Sequence, residues 1–398
     1  MKKITSFSGK EVLFIAIVCS LFFSAITWYL VDTYNTKKEL SNNAKDILNT
    51  YNDIVKNYYE EVDENELKNA AVNGMISLLD EKYSIFINDH NSELISSKLD
   101  GSYKGIGITM VKSKNNKFYV YSVVPNSYAD KSGLKVGDEV LTINGNVLSE
   151  KDELEDIVNL IKESKFVRFE VERKGELKIF DVDVGDVVIP VVGSEVFLND
   201  NYNIGYIGIS SFTEHAYEQF VTNLISIEKE DIKGLIIDLR GNSGGYLIEA
   251  TKIASKFIIK GKPLVSLEGK ESKDTIYDET DEYRTYPIVI LVNEYSASAS
   301  EILALALRDN YGAILVGTTT YGKGKVQQTE KLSDDSMIKY TSAYWYSPNG
   351  INIDGKGIKP GITIELEPDY YKSLESKDDN QLRSGMNVIY NILSRRSR

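Results

Sequence analysis

Buried apolar segments alternate with amphipathic ones between residues 203 and about 365, and this alternation restricts the fold more than any other feature of the chain. Segments such as Gly234–Leu239 and Ile288–Val292 have the composition of fully buried strands, and helical spacing of apolar residues follows at Tyr217–Ile227 and Tyr246–Ile258. Strands that alternate with helices predict a largely parallel sheet whose functional groups lie at the carboxyl ends of its strands. We therefore expect an α/β core.

Two loops follow such strand ends and are expected to converge. The first, Asp238–Gly245, is rich in glycine but lacks the spacing and the Gly-Lys-Ser/Thr ending of a nucleotide-binding loop. The second, Tyr295–Ser300, contains three serines and leads into a helix predicted over Glu301–Arg308. Unpaired N–H groups at a helix start stabilise negative charge, and two glycines before a helix let a backbone N–H point into a cleft. The loops together therefore predict an oxyanion donor beside a serine hydroxyl.

The hypothesis that follows is that Ser298 is a nucleophile and Lys323 its general base. Lys323 lies between two glycines, so its backbone can approach another element closely, and burial lowers the pKa of a lysine toward that of a useful base. Gln327, four residues on, shares a face with Lys323 in an extended strand and can hold the amine. Lys325 lies on that face too, and composition leaves it open as the alternative base.

Composition argues against several other kinds of chemistry. The formal net charge of -13 offers no basic stripe for nucleic acid, and the single cysteine, Cys19, lies in an apolar run, so no cysteine metal site is expected. The two histidines are His90, in a predicted loop, and His215, at a predicted helix start far from the strand ends. A surface or capping role is expected for His215. We predict no metal and no organic cofactor.

The amino-terminal 31 residues have the pattern of a retained membrane anchor. Val12–Val31 contains no charged residue, and twenty helical residues span ~30 Å of hydrocarbon. Lysines precede this segment, Trp28 and Tyr29 lie near its far end, and no convincing small-x-small cleavage site follows Ala25. We expect a single-pass protein whose bulk lies outside the cytoplasm.

A polar tether precedes a predicted helical region. Apolar residues recur at helical spacing from Ala44 to Leu79, with a break around Asp63 and Glu64, which predicts two helices. These helices can pack against the body of the protein or form a homo-oligomer, and the sequence leaves both open. A further helical pattern in the carboxyl-terminal tail is expected to dock on the body.

Residues 101–185 form a separate unit of short strands and helices. Ser149-x-x-Asp152 has the pattern of a capping box at the start of a helix, and the apolar register slips between Ile179 and Phe180, which predicts a β-bulge. In the order of its elements this unit resembles a PDZ domain. The resemblance implies that it adds a peptide as a strand and that the loop of Gly105, Ile106 and Gly107 captures the carboxyl terminus of that peptide.

The remaining motifs resemble those of the carboxyl-terminal processing proteases, Ser/Lys peptidases of the S41 type with one PDZ domain. The resemblance rests on Asp238–Gly245, Ser296–Glu301, Gly322–Gly324 and the run Pro348–Pro360. The register of these motifs favours Ser298 over Ser296 and Ser300, and Lys323 over Lys325. The resemblance implies a nucleophile, a base, an orienting amide and two oxyanion-hole N–H groups, which are Ser298, Lys323, Gln327, Gly244 and Ala299.

Two positions depart from the pattern of that family. Ser243 stands where proline is common, which affects the rigidity of the loop. Leu79–Ser84 replaces a run of the Leu-Asp-Pro-Tyr/His-Ser/Thr type, and this departure is expected to lie away from the chemistry.

Together these interpretations predict a multidomain α/β and α+β chain, with a PDZ domain before an α/β protease core. The expected segments are an anchor (1–31), a tether and helical region (32–100), a PDZ domain (101–185), a core with a mostly parallel sheet (186–368) and a helical tail (369–398). The expected function is a membrane-anchored, extracytoplasmic serine endopeptidase that recognises proteins or peptides by their free carboxyl termini. A catalytically inactive PDZ scaffold that binds peptides is the alternative.

Overall fold

The computed structural model describes residues 22–24, 26–27, 41–79, 81–199, 202–368, 370–373 and 375–396. The chain divides into two compact units between Leu78 and Leu79. The anchor predicted over Val12–Val31 lies outside the described residues, apart from residues 22–24 and 26–27, which are helical. Within the described ranges, no helix has the length and apolar character that crossing a membrane requires.

The first unit contains the two helices that the periodicity predicted, α1 (Asn42–Asn57) and α2 (Glu64–Ser77). Asp63 caps the start of α2, because its carboxylate accepts hydrogen bonds from the N–H groups of Asn65 and Glu66 at 2.8 and 3.1 Å. A side chain that satisfies these first N–H groups defines the helix start.

The second unit begins with β1 (Ile85–Ile87) and α3 (Asp89–Asp100), which lead into the predicted PDZ region. The elements of this region are β2 (Ser102–Gly105), β3 (Ile108–Lys112), β4 (Phe118–Val123), α4 (Tyr128–Ser132), β5 (Glu139–Ile143), β6 (Asn146–Val147), α5 (Leu154–Glu163), β7 (Phe166–Arg173), β8 (Glu176–Asp183) and β9 (Gly185–Val188). Strands β2 and β9 form a separate antiparallel pair, and the main sheet has the strand order β3-β4-β5-β7-β8, with β6 on β5. Phe118, Phe169 and Leu134 fill its core, together with Ile157 and Ile161 of α5.

Two local predictions in this region are wrong. Ser149 and Asp152 do not cap α5: the N–H and hydroxyl of Ser149 both donate to Asp152 at 2.7 Å, which closes a turn before the helix. The helix begins at Leu154 without a side-chain cap. No bulge separates Ile179 from Phe180, since β7 and β8 pair in continuous register. The alternation of apolar residues changes at Ile179 and Phe180 because Ile179 is an apolar residue that points outward and is 56% exposed.

The elements of the core layer are β10 (Val192–Asn199), β11 (Tyr202–Ile209), α6 (Ala216–Glu228), β12 (Gly234–Asp238), α7 (Leu247–Ala254), β15 (Ile288–Val292), α8 (Ala299–Tyr311), β16 (Ile314–Gly317), β19 (Ile362–Thr363), α9 (Tyr370–Ser373) and α10 (Asn380–Arg396). The core sheet has the strand order β10-β11-β12-β15-β16-β19, antiparallel only between β10 and β11, which confirms a mostly parallel sheet. Alternate residues of β15 face opposite sides, so Ile290 packs with α6, α7 and α8 while Leu291 packs with Leu382 and Ile389 of α10. The carboxyl-terminal helix therefore docks on the sheet as predicted.

A second, antiparallel sheet joins segments that lie far apart in sequence. It comprises β13 (Pro263–Gly269), β14 (Lys273–Tyr277), β17 (Lys325–Lys331) and β18 (Met337–Tyr346), and β1 pairs with β18 at its edge. The hairpin of β17 and β18 turns at residues 332–336. Because β1 lies on β18, the segment that precedes β1 lies beside this hairpin.

A largely buried arginine side chain, that of Arg240, links the start of α10 to the end of β12. Arg240 donates to Asp238 at 2.6 Å and to Asp379 at 2.7 Å, and the three side chains are 11%, 9% and 3% exposed. Gln381 accepts a further hydrogen bond from Arg240 at 2.9 Å. A planar guanidinium suits two carboxylates at once, so the tail helix is fastened at the root of the glycine-rich loop.

Candidate active site

Ser298 lies at the corner between β15 and α8, immediately before the first helical residue. Its φ of 56° and ψ of -115° lie in a region that residues other than glycine seldom adopt, and such strain is held where the surrounding structure enforces it. Here Glu301 does so, because its Oε2 accepts the N–H of Ser298 at 2.8 Å. The helix starts two residues earlier than predicted, which puts Ser298 directly at its amino end.

The neighbouring serines have structural roles. Ser296 and Ser300 are buried, and their hydroxyls donate to the carbonyl oxygens of Leu239 and Asn242 at 2.8 and 2.9 Å. These bonds fasten the serine-rich loop to the glycine-rich loop. Of the three serines, Ser298 alone has a partly exposed side chain, which fits a nucleophile that must reach a substrate.

The glycine-rich loop meets Ser298 at Gly244. A Cβ at Gly244, where φ is +109°, would lie 2.9 Å from the Cβ of Ser298 and 3.3 Å from the backbone nitrogen of Ala299. The two N–H groups predicted to form an oxyanion hole therefore flank the same corner. The N–H of Gly244 donates to Asn242 Oδ1 at 2.9 Å, whereas that of Ala299 has no acceptor among the described residues.

Lys323 lies just before β17, and both flanking glycines are needed for close backbone approach. A Cβ at Gly322 would lie 2.6 Å from the backbone nitrogen of Gly357, and one at Gly324 would lie 2.6 Å from that of Asp354. The N–H of Lys323 donates to Glu301 Oε2 at 2.9 Å. The backbone of the predicted base is thus fixed by the carboxylate that fixes the predicted nucleophile.

Burial, and to a lesser extent the nearby charge of Lys339, lowers the pKa of Lys323 to about 8. The Nζ atom lies 5.0 Å from the ring centre of Tyr83 and donates to none of the described residues, Ser298 and Gln327 included. Lys325 instead faces Glu81 at 3.5 Å and Asp354 at 3.8 Å. The amine without a carboxylate partner is therefore that of Lys323, which favours it over Lys325 as a base.

Gln327 lies on β17 beyond a register shift between Val326 and Gln327. The prediction that Gln327 and Lys323 share one face of a strand is wrong, because Lys323 precedes the strand. The amide nitrogen of Gln327 donates to Thr341 Oγ1 at 3.3 Å.

The loop of Gly105, Ile106 and Gly107 lies at one end of a groove between β3 and α5. The groove has a volume of about 380 Å³ and is lined by Ile108, Met110, Leu154, Ile157 and Ile161, among others. The carbonyl groups of Ile106 and Gly107 accept hydrogen bonds from Ala129 and Val124, both at 2.8 Å, which holds the loop on the domain. An apolar groove beside a strand can accept an extended peptide.

Comparison with known proteins identifies the family. Peptidase family S41 matches residues 203–364, the PDZ domain matches 105–184, and the N-terminal domain of the activating protease CtpB matches 27–91. The carboxy-terminal processing protease CtpB of Bacillus subtilis is 35% identical over 343 residues, 85% of this chain and 71% of that protein. CtpA of Bacillus subtilis is 33% identical over 383 residues, 94% of this chain and 81% of that protein. The chain belongs to the S41 C-terminal processing proteases.

Solved structures extend this result to the fold. An S41 protease from Bacteroides fragilis superposes with a TM-score of 0.51 at 15% identity, over 84% of this chain and 92% of that one. At this identity the likeness concerns the fold alone. The chain is therefore an S41 serine peptidase with a helical amino-terminal domain and a PDZ domain.

Sequence reasoning missed three residues around the S41 site. Glu301 accepts four hydrogen bonds, from the backbones of Ser298, Gly322 and Lys323 and from the hydroxyl of Thr320. The spacing Ser298-x-x-Glu301 is itself a capping-box signal that could have identified it. The other two, Glu81 and Tyr83, lie in the Leu79–Ser84 run. The prediction that this run lies away from the chemistry is wrong, because the pairing of β1 with β18 carries it to Lys323.

No metal centre emerges from the residues that the structure describes, since they contain no group of three His, Cys, Asp or Glu side chains arranged for an ion. His215 precedes α6 without a capping hydrogen bond, and its ring nitrogen lies 3.9 Å from Glu218.

Proposed function

We propose that this S41 peptidase is a membrane-anchored, extracytoplasmic endopeptidase that cleaves with Ser298 and Lys323, and that its PDZ domain recognises substrate carboxyl termini. One observation carries the catalytic assignment. The amine of Lys323 is half-buried with a pKa of about 8 and has no carboxylate partner within the described ranges, while its backbone shares Glu301 with that of Ser298. A lysine is a general base only when neutral, so a lowered pKa is the required property.

In the proposed acylation, Ser298 Oγ attacks the scissile carbonyl carbon and its proton passes to Lys323 Nζ. The resulting oxyanion accepts hydrogen bonds from the N–H groups of Ala299 and Gly244. The N–H of Gly244 must first release its hydrogen bond to Asn242 Oδ1. The tetrahedral intermediate collapses as the C–N bond breaks, and the ammonium of Lys323 gives its proton to the leaving amine.

Deacylation repeats these steps with water as the nucleophile. Lys323 Nζ takes a proton from the water as it attacks the ester carbonyl, and then returns it to Ser298 Oγ as the carboxylic product leaves. In this proposal Gln327 accepts a hydrogen bond from Lys323 and orients it. No metal or organic cofactor takes part.

Cleavage of an unfolded protein substrate by the wild type and by Ser298→Ala and Lys323→Ala variants tests the catalytic proposal. We expect both variants to lose more than about 10³-fold in kcat/KM, because a nucleophile and its base act as a unit. Retention of activity by Lys323→Ala together with loss in Lys325→Ala would transfer the role of base to Lys325. Equal activity in all variants would contradict the assignment altogether.

The PDZ proposal is supported by the groove between β3 and α5 and by the loop that ends it at Gly107, where φ is +92°. Peptides with a free carboxyl terminus should bind more tightly than the same peptides with an amidated terminus. Equal affinity for both forms would count against capture of the carboxylate.

The membrane proposal is supported by the charge-free segment Val12–Val31 and by the lysines before it. Membrane fractionation of the full chain and of a chain that lacks residues 1–31 would test it. The full chain should sediment with membranes and be digested by external protease in intact, wall-free cells. Recovery of both forms in the soluble fraction would contradict the proposal.

A further inference from the structure

The contacts of Gln327 form a chain of hydrogen bonds with a fixed direction. Gln327 Nε2 donates to Thr341 Oγ1 at 3.3 Å, and Thr341 Oγ1 donates to Glu81 Oε2 at 2.8 Å. All three residues are partly buried. Gln327 and Glu81, at the two ends of this series of hydrogen bonds, lie more than 240 positions apart in sequence. The hydrogen bonds can therefore form only after β1 has paired with the β17–β18 hairpin.

Glu81 sets this direction because an ionised carboxylate can only accept hydrogen bonds. Burial raises the pKa of Glu81, but hydrogen bonds from Thr341 and Ser84 and the charge of Lys325 outweigh this and leave its pKa below the ordinary value. Its Oε2 accepts from the hydroxyl of Ser84 at 3.0 Å as well as from Thr341. The carboxylate is therefore ionised at neutral pH and has no proton to donate.

Thr341 passes this constraint to Gln327. A threonine hydroxyl has a single proton, and that of Thr341 is committed to Glu81. Its oxygen can then only accept from Gln327, which requires the NH₂ end of the amide to face Thr341. The carbonyl end, Oε1, consequently faces away from Thr341.

The orientation of the amide matters because the amine of a protonated lysine donates three hydrogen bonds and accepts none. Only Oε1 of Gln327 can serve the ammonium that forms when Lys323 takes the proton of Ser298. A flipped amide would instead direct its NH₂ group at a cation. We propose that Glu81 and Thr341 are positioning residues of this peptidase, which orient the amide of Gln327 so that its carbonyl oxygen is presented to Lys323.

This inference rests on the proposed roles of Lys323 and Gln327. Thr341→Val removes the hydroxyl at nearly constant volume and leaves the amide free to flip, whereas Thr341→Ser keeps the hydroxyl. We expect Thr341→Val to lower kcat about tenfold with little change in KM, and Thr341→Ser to restore most of the loss. Thr329→Val is the matched control, since Thr329 lies exposed on the same hairpin and should leave kcat unchanged.

A double-mutant cycle separates positioning from a merely structural effect. Because Thr341 acts through Gln327, Thr341→Val should change kcat less than twofold in a Gln327→Ala background. The same tenfold loss in that background would overturn the inference. Glu81→Gln provides a second test if Thr341→Val fails to fold, because it replaces an obligate acceptor by an amide that can also donate. It should lower kcat more in the wild-type background than in the Gln327→Ala background, where only the loss of the Glu81 charge near Lys323 remains.

The outcome for Gln327 itself distinguishes this inference from the catalytic proposal. Full activity of Gln327→Ala, combined with inactive Ser298→Ala and Lys323→Ala, would overturn the positioning chain and leave the Ser/Lys dyad intact. Activity in the Ser298→Ala protein would instead contradict the Ser/Lys dyad, on which the positioning roles depend.

Discussion

The backbone N–H groups of Ser298 and Lys323 donate to the same atom, Oε2 of Glu301, at 2.8 and 2.9 Å. Glu301 is fully buried within the first turn of α8. The proposed nucleophile and base are therefore held by one rigid side chain, although 24 residues separate them in the chain. Misplacement of catalytic groups by about 1 Å can cost ~10²-fold in rate, so we expect loss of this shared acceptor to lower activity.

Replacement of Glu301 should impair both stability and catalysis. In Glu301→Gln one of the two oxygens becomes an NH₂ group that faces backbone donors, so at least two buried N–H or O–H groups lose their acceptor at a cost of about 1–3 kcal/mol each. We expect kcat to fall about 10- to 100-fold and the melting temperature to fall by several degrees. Thermal unfolding and substrate cleavage measure the two effects. Wild-type kcat in the Gln variant would show that the shared acceptor is dispensable.

The rate of acylation should follow the neutral fraction of Lys323. Since the pKa of Lys323 is about 8, kcat/KM should rise with pH up to about 8 and level off above it. The ring centre of Tyr83 lies 5.0 Å from the amine. We expect the ring to exclude water from the amine, and we expect this effect to outweigh its attraction for a cation. Tyr83→Ala should therefore raise the pKa of Lys323, move the pH profile toward higher pH and lower kcat/KM at pH 7 by up to about tenfold. Tyr83→Phe retains the ring and should match the wild type.

Lys323 should also lower the stability of the folded protein. Its pKa falls from 10.5 in the unfolded chain to about 8 in the folded one, so the unfolded state binds more protons between these values. The free energy of unfolding therefore rises as pH increases from 8 to 10.5. Below pH 8 the folded protein bears the full cost of burying a charged Lys323. We expect Lys323→Met to be inactive but to melt a few degrees higher than the wild type at pH 7. Lys331→Met, on the exposed end of β17, should leave the melting temperature unchanged.

Loss of the buried Arg240 should be severe. Arg240→Met would leave Asp238 and Asp379 buried without a cation, which costs about 3–5 kcal/mol. Arg168→Met is the comparison, because the Arg168–Asp181 pair is more than half exposed and exposed ion pairs contribute little to stability. Urea unfolding of both variants checks the difference. Equal destabilisation would show that Arg240 does not act as a clamp.

The sequence predicted the features that depend on local pattern. Alternation of buried strands and helices identified the mostly parallel sheet, and glycines around Lys323 indicated the close approach that the structure shows at Gly357 and Asp354. The three serines could not be separated by composition, because burial is what distinguishes them. Two of their hydroxyls donate to carbonyl oxygens of the neighbouring loop.

Features that depend on pairing between distant segments could not be predicted. Glu81 and Tyr83 lie next to Lys323 and Thr341 because β1 joins the edge of a sheet built from residues 263–346. Nothing in the six residues Leu79–Ser84 encodes that pairing. Local cues also failed where a tertiary contact competed: Asp152 was expected to mark a helix start, but its carboxylate is used by Ser149 and its carbonyl by Lys112.

The bond between Glu81 and Thr341 joins residues 260 positions apart, and this distance has a consequence for biosynthesis. A chain leaves the ribosome amino end first, so Ser298 and Lys323 emerge before Thr341, and Asp379 emerges later still. A nascent chain that already carries the proposed nucleophile and base has neither the Thr341–Glu81 hydrogen bond nor the pairing of Arg240 with Asp379. The geometry proposed for the site is therefore complete only after Thr341 and Asp379 have been synthesised and have packed against segments made much earlier.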